Sequence, residues 1–418
     1  MIKIGVFGGR RGDYMVEWCK KTGLAEVVAI CDKDEDVISL LESKYDGMPI
    51  AYEKDFNDFI KHDMDGMVLA NYAHEHAPYA IKALDAGINV LSEVLPFNTL
   101  AQGVELVEAA ERSKKIYAYA ENYCYMPAPR EMRRLYRSGV LGDIEYGEGE
   151  YLHNCEDIWH EITYGERDHW RNNRYCTFYC THSLGPIVHI TGLRPVSVTG
   201  FELPYSDRAA RMGSKGSIVG VEMVTLENGA LVKSIHGGLD KNSIWYTIYG
   251  SKGRAESARE DTQSGGIERM YTNLDPKEGV LTWSPATYIP QDELSAQAKD
   301  AGHGSSDFYV MYNFVSAIRG KDAEIIDVYE ACDMFLPGLF AYFSVLDGGT
   351  PKAVPDFRRK SERDKYRNDT RCTDPKIAGD MLLPCYSRRE VEIPDEVYAL
   401  IRERYERALS KRKSDALK

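Results

Sequence analysis

No stretch of this 418-residue chain is apolar for long enough to cross a bilayer, and its opening Met1-Ile2-Lys3-Ile4-Gly5 lacks the charged-then-apolar pattern of an export signal. A cytoplasmic protein with no membrane partner is expected. Positive charge is in short supply, since 52 Lys and Arg stand against 65 Asp and Glu for a net charge of −13. Such a field repels a nucleic-acid duplex, so no nucleic-acid partner is expected either. The one basic run, Arg130, Arg133, Arg134 and Arg137, reads as the solvated face of a helix. A disulfide framework is missing as well. The nine cysteines are odd in number and form no C-x-x-C pair, and Cys176 and Cys180 lack companions that would complete a zinc set. They read as reduced, structural thiols. Internal repeats and low-complexity tracts are absent.

What is present is ordinary globular composition, 43% hydrophobic and 28% charged, over a length that suggests two or three domains. Through residue 122 short apolar runs alternate with helical periodicity. Lys3–Phe7, Val27–Cys31, Gly66–Ala70, Asn89–Leu91 and Ile116–Ala120 read as strands. Between them Met15, Trp18 and Cys19, then Val37, Ile38 and Leu41, then Ala77–Ala86 and Val104–Ala110 mark helices. Repeated β-α-β order predicts a doubly wound parallel sheet, a Rossmann domain.

Beyond residue 123 the pattern changes. A helix near Ala128–Ser138 is followed by long alternating segments at Glu145–His153, Ser217–Leu226, Leu231–His236 and Ile244–Tyr249. Asn228-Gly229 between two of them predicts a type I′ hairpin. Helical stretches follow at Asp307–Arg319 and Val328–Leu346. The expected fold is therefore α/β: a Rossmann domain over 1–122, an α+β domain with an open, largely antiparallel sheet over 123–355, and a tail over 356–418. The tail ends in a charged helix, Asp395–Lys411, and is expected to wrap the domains or a neighbouring subunit.

Gly8, Gly9, Arg10, Arg11 and Gly12 follow the first strand and open the first helix. Glycines there let backbone approach a pyrophosphate, which the helix N-terminus stabilises. The spacing is one residue tighter than G-x-G-x-x-G. Asp32 closes the second strand, where a carboxylate accepts both ribose hydroxyls of NAD and repels a 2′-phosphate, although Lys33 beside it weakens that preference. Asn71, His76 and Glu93 fall at the C-terminal ends of strands, the edge where such sheets bind ligands, and Asn122 falls at the crossover to the second domain. Each is expected to touch the cofactor or to hold a loop that does.

Val27–Asp32, Asp65–His76, Ala83–Pro96, Tyr119–Tyr123, Ser138–Ile144 and Gly250–Gly253 together resemble the Gfo/Idh/MocA family of sugar oxidoreductases. That resemblance implies NAD as cofactor, a C-terminal sheet that holds a sugar and a homo-oligomer, dimer or tetramer. Most members carry Glu-Lys-Pro after the fifth strand, whereas this chain reads Ser92-Glu93-Val94-Leu95-Pro96. The lysine is missing. That change, with Ala120–Met126 and Tyr179-Cys180-Thr181-His182-Ser183-Leu184-Gly185-Pro186, resembles the branch of NAD-dependent α-N-acetylgalactosaminidases and related redox glycosidases. The branch implies transient oxidation of a ring hydroxyl, elimination of the aglycone, addition of water and return of the hydride.

Five of the ten histidines lie between 153 and 189. Proton transfer at a sugar needs a group that titrates near working pH, and imidazole starts near ~6.5. By the resemblance, His182 is the general acid or base against the sugar, Tyr151 is a catalytic candidate and His153 a substrate contact at the sugar, and Trp170-Arg171 reach the cofactor. Tyr179 and His169 are added as catalytic candidates for their closeness to His182, while His189 reads as core. His303, in the loop Gly302–Asp307, is a substrate candidate because its family counterpart closes over the sugar; Asp307 reads as a helix cap. His153, Asp157, His160 and Asp168 are ligand types, but their spacing fits no metal motif and no metal is expected. Three functions follow: a redox glycosidase, favoured by Thr181–Pro186 and the lost lysine; a sugar dehydrogenase releasing NADH and a keto-sugar; and a non-catalytic NAD-binding regulator.

Overall fold

A computed structural model describes residues 1–260, 268–275 and 285–416. The chain divides into two compact units, one of residues 1–130, 290–333 and 356–369, the other of 131–289, 334–355 and 370–418.

The first unit is built on six parallel strands: β1 (Ile2–Phe7), β2 (Ala25–Cys31), β3 (Ala51–Glu53), β4 (Gly66–Leu69), β5 (Asn89–Ser92) and β6 (Tyr117–Tyr119), in the order β3-β2-β1-β4-β5-β6. All but β3 were legible as apolar runs. β4 is buried along its whole length, as expected for a strand covered on both faces. β3, only three half-buried residues at the sheet edge, carries no such run. The helix Gly9–Thr22 ends on Gly23 in the left-handed conformation, and Leu100–Ser113 starts with a Thr99/Gln102 capping box.

Two later segments join this unit, against the boundaries expected from sequence. The N–H of Tyr119 donates to the carbonyl of Ile326 at 2.8 Å, and Phe308 in the helix Ser306–Ile318 packs edge-on against Trp18. Arg363 grips Glu111 at 2.9 and 2.8 Å, and Arg367 grips Glu108 at 2.9 and 2.7 Å. The start of the tail is thus fastened to the helix Leu100–Ser113 by two forked ion pairs.

The second unit carries nine strands: β7 (Ile144–Leu152), β8 (Pro195–Glu202), β9 (Val219–Leu226), β10 (Leu231–Gly237), β11 (Ser243–Gly250), β12 (Gly253–Ser257), β13 (Met270–Leu274), β14 (Ala286–Tyr288) and β15 (Lys352–Ala353). Their order is β14-β13-β12-β11-β7-β10-β9-β8-β15, with β7 and β10 parallel and the other pairs antiparallel. The β9–β10 hairpin forms, but its turn is not type I′. Gly229 alone has positive φ, and Leu226 pairs with Ala230 around a three-residue loop, because the Asn228 side chain accepts from the Ala230 N–H instead of adopting the left-handed region.

One sheet face is covered by the helix Cys180–Thr191, every residue of which is buried. Gly149 of β7 makes this approach feasible, since a Cβ there would lie 1.8 Å from the carbonyl oxygen of Ser183. The terminal helix runs over Asp395–Ala416 and packs Ile401 against Trp159 and Met212.

Candidate active site

In the first unit the strand order reverses between β1 and β4, and the glycine turn lies there, at the position where open parallel sheets bind ligands. Gly8 has φ 97°, and a Cβ on it would fall 2.3 Å from the carbonyl carbon of Ala70. A Cβ on Gly12 would fall 2.3 Å from Val6 Cγ1. No side chain fits there, which keeps the helix N-terminus open to a phosphate. Asp32 lies beside the turn. Its Oδ2 accepts the Gly9 N–H at 2.7 Å and its Oδ1 the Asp34 N–H at 2.9 Å. Burial raises its carboxyl, and the two N–H donors oppose that rise. Turn and carboxylate are of the kind that holds NAD, the turn suited to a pyrophosphate and the acid to a ribose. Arg10, half-buried, is the second residue of the same helix.

Arg11 has another role. Its Nε donates to Glu93 at 2.8 Å, and its Nη atoms reach Asp307 at 3.4 and 3.2 Å. Burial works against the guanidinium charge, but Glu93 and Asp307 outweigh it and raise the pKa. Tyr14 donates to the same Glu93 at 3.3 Å, and Asn122 donates to Asp307 at 3.3 Å. His303 Nδ1 lies 2.8 Å from Asp307, with its ring edge-on to Tyr123. Asp307 is therefore not the cap read from sequence: Ser305 holds that position, and Asp307 is the hub joining Arg11, Asn122 and His303. Burial opposes its charge, yet His303 and Arg11 bring it down to about 2. The joined residues lie 296 apart in the chain, so no local pattern signals the hub.

His76 braces loops. Its ring nitrogens lie 2.9 Å from the Leu95 carbonyl and 3.2 Å from the Asn71 carbonyl, and burial lowers its pKa. Asn71 turns its amide toward Glu75 at 3.4 Å.

In the second unit the sequence candidates gather around His182, which opens the helix Cys180–Thr191. Its ring stacks on Tyr179, centroids 5.4 Å apart and planes 10° apart, and meets Tyr151 of β7 at 4.5 Å. The Tyr151 hydroxyl lies 3.1 Å from His153 Nδ1, and Arg171 Nη1 donates to the Tyr179 hydroxyl at 2.5 Å. The backbone is fixed too: Tyr246 of β11 donates its hydroxyl to the His182 carbonyl at 2.6 Å. Behind it Ser183 Oγ lies 2.8 Å from Ser234 Oγ and 3.2 Å from His236 Nδ1. Burial, with His182 adding to it, lowers His236 to about 3.

His169 is a buried cap whose Nδ1 accepts the Arg171 N–H at 3.2 Å, with its ring against Trp170. Trp170 itself is buried against Phe178, and its indole lies 4.4 Å from the Arg171 guanidinium. His189 is 1% exposed. Sequence reading missed Tyr246, Tyr14 and Arg174, a guanidinium 5.0 Å from the Tyr179 ring. Among the described residues no group of three or more His, Cys, Asp or Glu is gathered as a metal site.

Known proteins extend this picture. Residues 2–121 match the oxidoreductase family with an NAD-binding Rossmann fold, Gfo/Idh/MocA, and residues 291–363 match the C-terminal domain of glycosyl hydrolase 109. A glycosyl hydrolase family 109 protein of Streptomyces coelicolor is 26% identical over 90% of this chain and 88% of its own length. An alpha-N-acetylgalactosaminidase of Tannerella forsythia is 25% identical over 80% of this chain and 81% of its own. The fold is shared with the WlbA dehydrogenase of Bordetella pertussis, solved with NADH and UDP-GlcNAcA, at TM-score 0.67 and 18% identity over 85% of this chain and 98% of that one. It is shared also with levoglucosan dehydrogenase, solved with NADH and levoglucosan, at TM-score 0.68 and 15% identity over 85% and 99%. The chain thus carries matches to a Gfo/Idh/MocA NAD-binding domain and to a glycosyl hydrolase 109 C-terminal domain, the make-up of an NAD-dependent, glycoside-active enzyme.

Proposed function

We propose that this chain cleaves a glycosidic bond by the redox route, with NAD regenerated in each turnover. One observation carries the reading: His182 packed between two phenols, Tyr179 and Tyr151, beside a guanidinium that fixes the Tyr179 hydroxyl. The route needs protons moved at a ring hydroxyl, at the neighbouring carbon and at the leaving oxygen, and this cluster provides several groups that transfer protons. Val94 stands where the resembling oxidoreductases carry lysine, which leaves that work to His182, Tyr179 and Tyr151. NAD, when bound, supplies a hydride acceptor that gives the hydride back. Arg171 orients Tyr179; Trp170 and His169 hold the turn that positions Arg171. His153 holds the Tyr151 hydroxyl for the sugar, and His303, steadied by Asp307, is a further substrate contact. Gly8, Gly9, Arg10, Gly12, Asp32, Asn71 and Asn122 serve the cofactor. Arg11 and Glu93 serve it by holding the turn, and His76 by bracing the loops.

A homo-oligomer belongs to the same reading. Phe201, Met223, Leu231, Tyr249 and Tyr271 are exposed by 37–52% on the sheet face opposite the helix Cys180–Thr191. Large apolar groups sharing one open face favour association. Nine free cysteines, seven of them buried, fit a reducing cytoplasm.

The deciding experiment uses protein purified without added cofactor. It is denatured and assayed for NAD and NADH, and intact protein is incubated with nitrophenyl glycosides with and without NAD. Stoichiometric NAD and aglycone release without net NADH are expected. An empty protein that reduces added NAD on a sugar would make it a dehydrogenase instead.

A further inference from the structure

Arg171 and Arg174 lie in and just after the turn Trp170–Asn173, and among the described residues neither forms an ion pair. The groups they bond or stack against are aromatic or carbonyl groups. Arg174 lies 5.0 Å from the Tyr179 ring and 5.2 Å from the Trp159 ring, and its Nε donates to the Arg171 carbonyl at 3.1 Å. Arg171 bonds Tyr179, while its Nε is buried with no hydrogen-bond partner. Composition does not explain this, because the chain has 65 acidic residues and a net charge of −13. By contrast, Arg11 is paired with Glu93 and Asp307, and Arg363 with Glu111.

Two neighbouring, half-buried cations with no acidic partner are partly desolvated, a cost that an anionic ligand would offset. Burial lowers the Arg174 pKa, with Arg171 adding to the fall and Tyr179 opposing it. Both groups adjoin Tyr179, and Tyr179 stacks on His182. We propose that the glycoside taken by this chain bears an oxyanion, a carboxylate or sulfate on the sugar or on the adjoining unit, and that Arg171 and Arg174 bind it. Guanidinium groups match the geometry of such oxyanions, and a neutral hexoside would leave both cations unanswered. The proposal rests on the reading that the Tyr179–His182 cluster acts on a glycoside.

The test uses the full-length protein loaded with NAD and matched nitrophenyl hexosides, hexuronides and 6-sulfated hexosides. Turnover is measured, with binding by calorimetry for every pair. In at least one pair the anionic member is expected to bind about tenfold tighter or better, the range of a charged hydrogen bond. Arg174→Gln should erase that preference with NAD content unchanged, and Arg174→Lys should restore part of it. Equal affinities throughout, or binding of no anionic member, would overturn the proposal. So would loss of NAD in Arg174→Gln with the sugar preference intact, which would assign the arginines to the cofactor. Anionic preference in binding without aglycone release would leave this proposal standing and sink the glycosidase reading.

Discussion

Arg11 and Asp307, 296 residues apart, share two hydrogen bonds at 3.4 and 3.2 Å, with Glu93 completing the grip on the guanidinium. An arginine in a glycine turn invites assignment to phosphate, but here two carboxylates occupy it. Arg11→Met leaves buried Glu93 without its cation and Asp307 with His303 alone. A loss of about 3–5 kcal/mol is expected, the usual cost of breaking a buried pair. Urea unfolding of the variant measures it, and an unchanged midpoint would show that Arg11 is no clamp.

Asp32 accepts the Gly9 N–H at 2.7 Å, so its carboxylate already points to the glycine turn. Asp32→Asn keeps the shape and loses the charge. We expect NAD to bind roughly tenfold more weakly, with NADP affected little or improved, because charge-assisted hydrogen bonds to ribose are weakened and repulsion of a 2′-phosphate is gone. Dissociation constants for both nucleotides decide it, and an equal loss for each would sink the assignment.

Gly149→Ala puts a methyl carbon into the Ser183 carbonyl. The helix must shift, and with it His182 and Tyr179. Turnover is expected to fall about 100-fold or more, since misplacement by 1 Å far from the chemistry costs that much. NAD content should be untouched. Preserved turnover would mean that the placement of this helix does not govern the reaction.

His182→Gln and Tyr179→Phe each remove a proton-transferring group and keep most of the packing. Losses of roughly 10²–10⁴ in kcat are expected, with unfolding midpoints close to that of the parent. A double variant should lose less than the product of the two if they act as one unit. Full additivity in steady-state rates would argue for separate roles.

Glu222 and His236 face each other across 3.9 Å in the sheet, and neither Glu222 oxygen has a hydrogen-bond partner among the described residues. Burial pushes the Glu222 carboxyl well up from its ordinary 4.5 and lowers His236 from 6.5 to about 3. Both are neutral in the fold. For His236 the unfolded chain binds the extra proton between those two values, so stability falls as pH drops, by up to about 1.4 kcal/mol per unit. Glu222 has the opposite sign: the fold holds its proton, and stability is lost as pH rises above the ordinary carboxyl value. Glu222→Gln should therefore be more stable than the parent at pH 7.5 and keep the acid-side loss. A less stable variant at that pH would show an ionised pair instead.

Much of this protein is written locally. Parallel strands buried on both faces are apolar runs, so five of the six in the first unit are legible, as are the glycine turn and the acid closing β2. Those features depend on backbone conformation and on neighbours within about one turn or strand. β3 escapes because three half-buried edge residues need no apolar pattern. The stacking of Tyr179 on His182 follows from residues three apart on one helical turn, yet the arrival of Tyr151 from β7 requires the sheet register. The domain boundaries, the Arg11–Asp307 clamp and the anchoring of Arg363 on Glu111 were decided by tertiary structure alone. Buried charges take whichever partner the packing brings to them, and sequence distance plays no part in that choice.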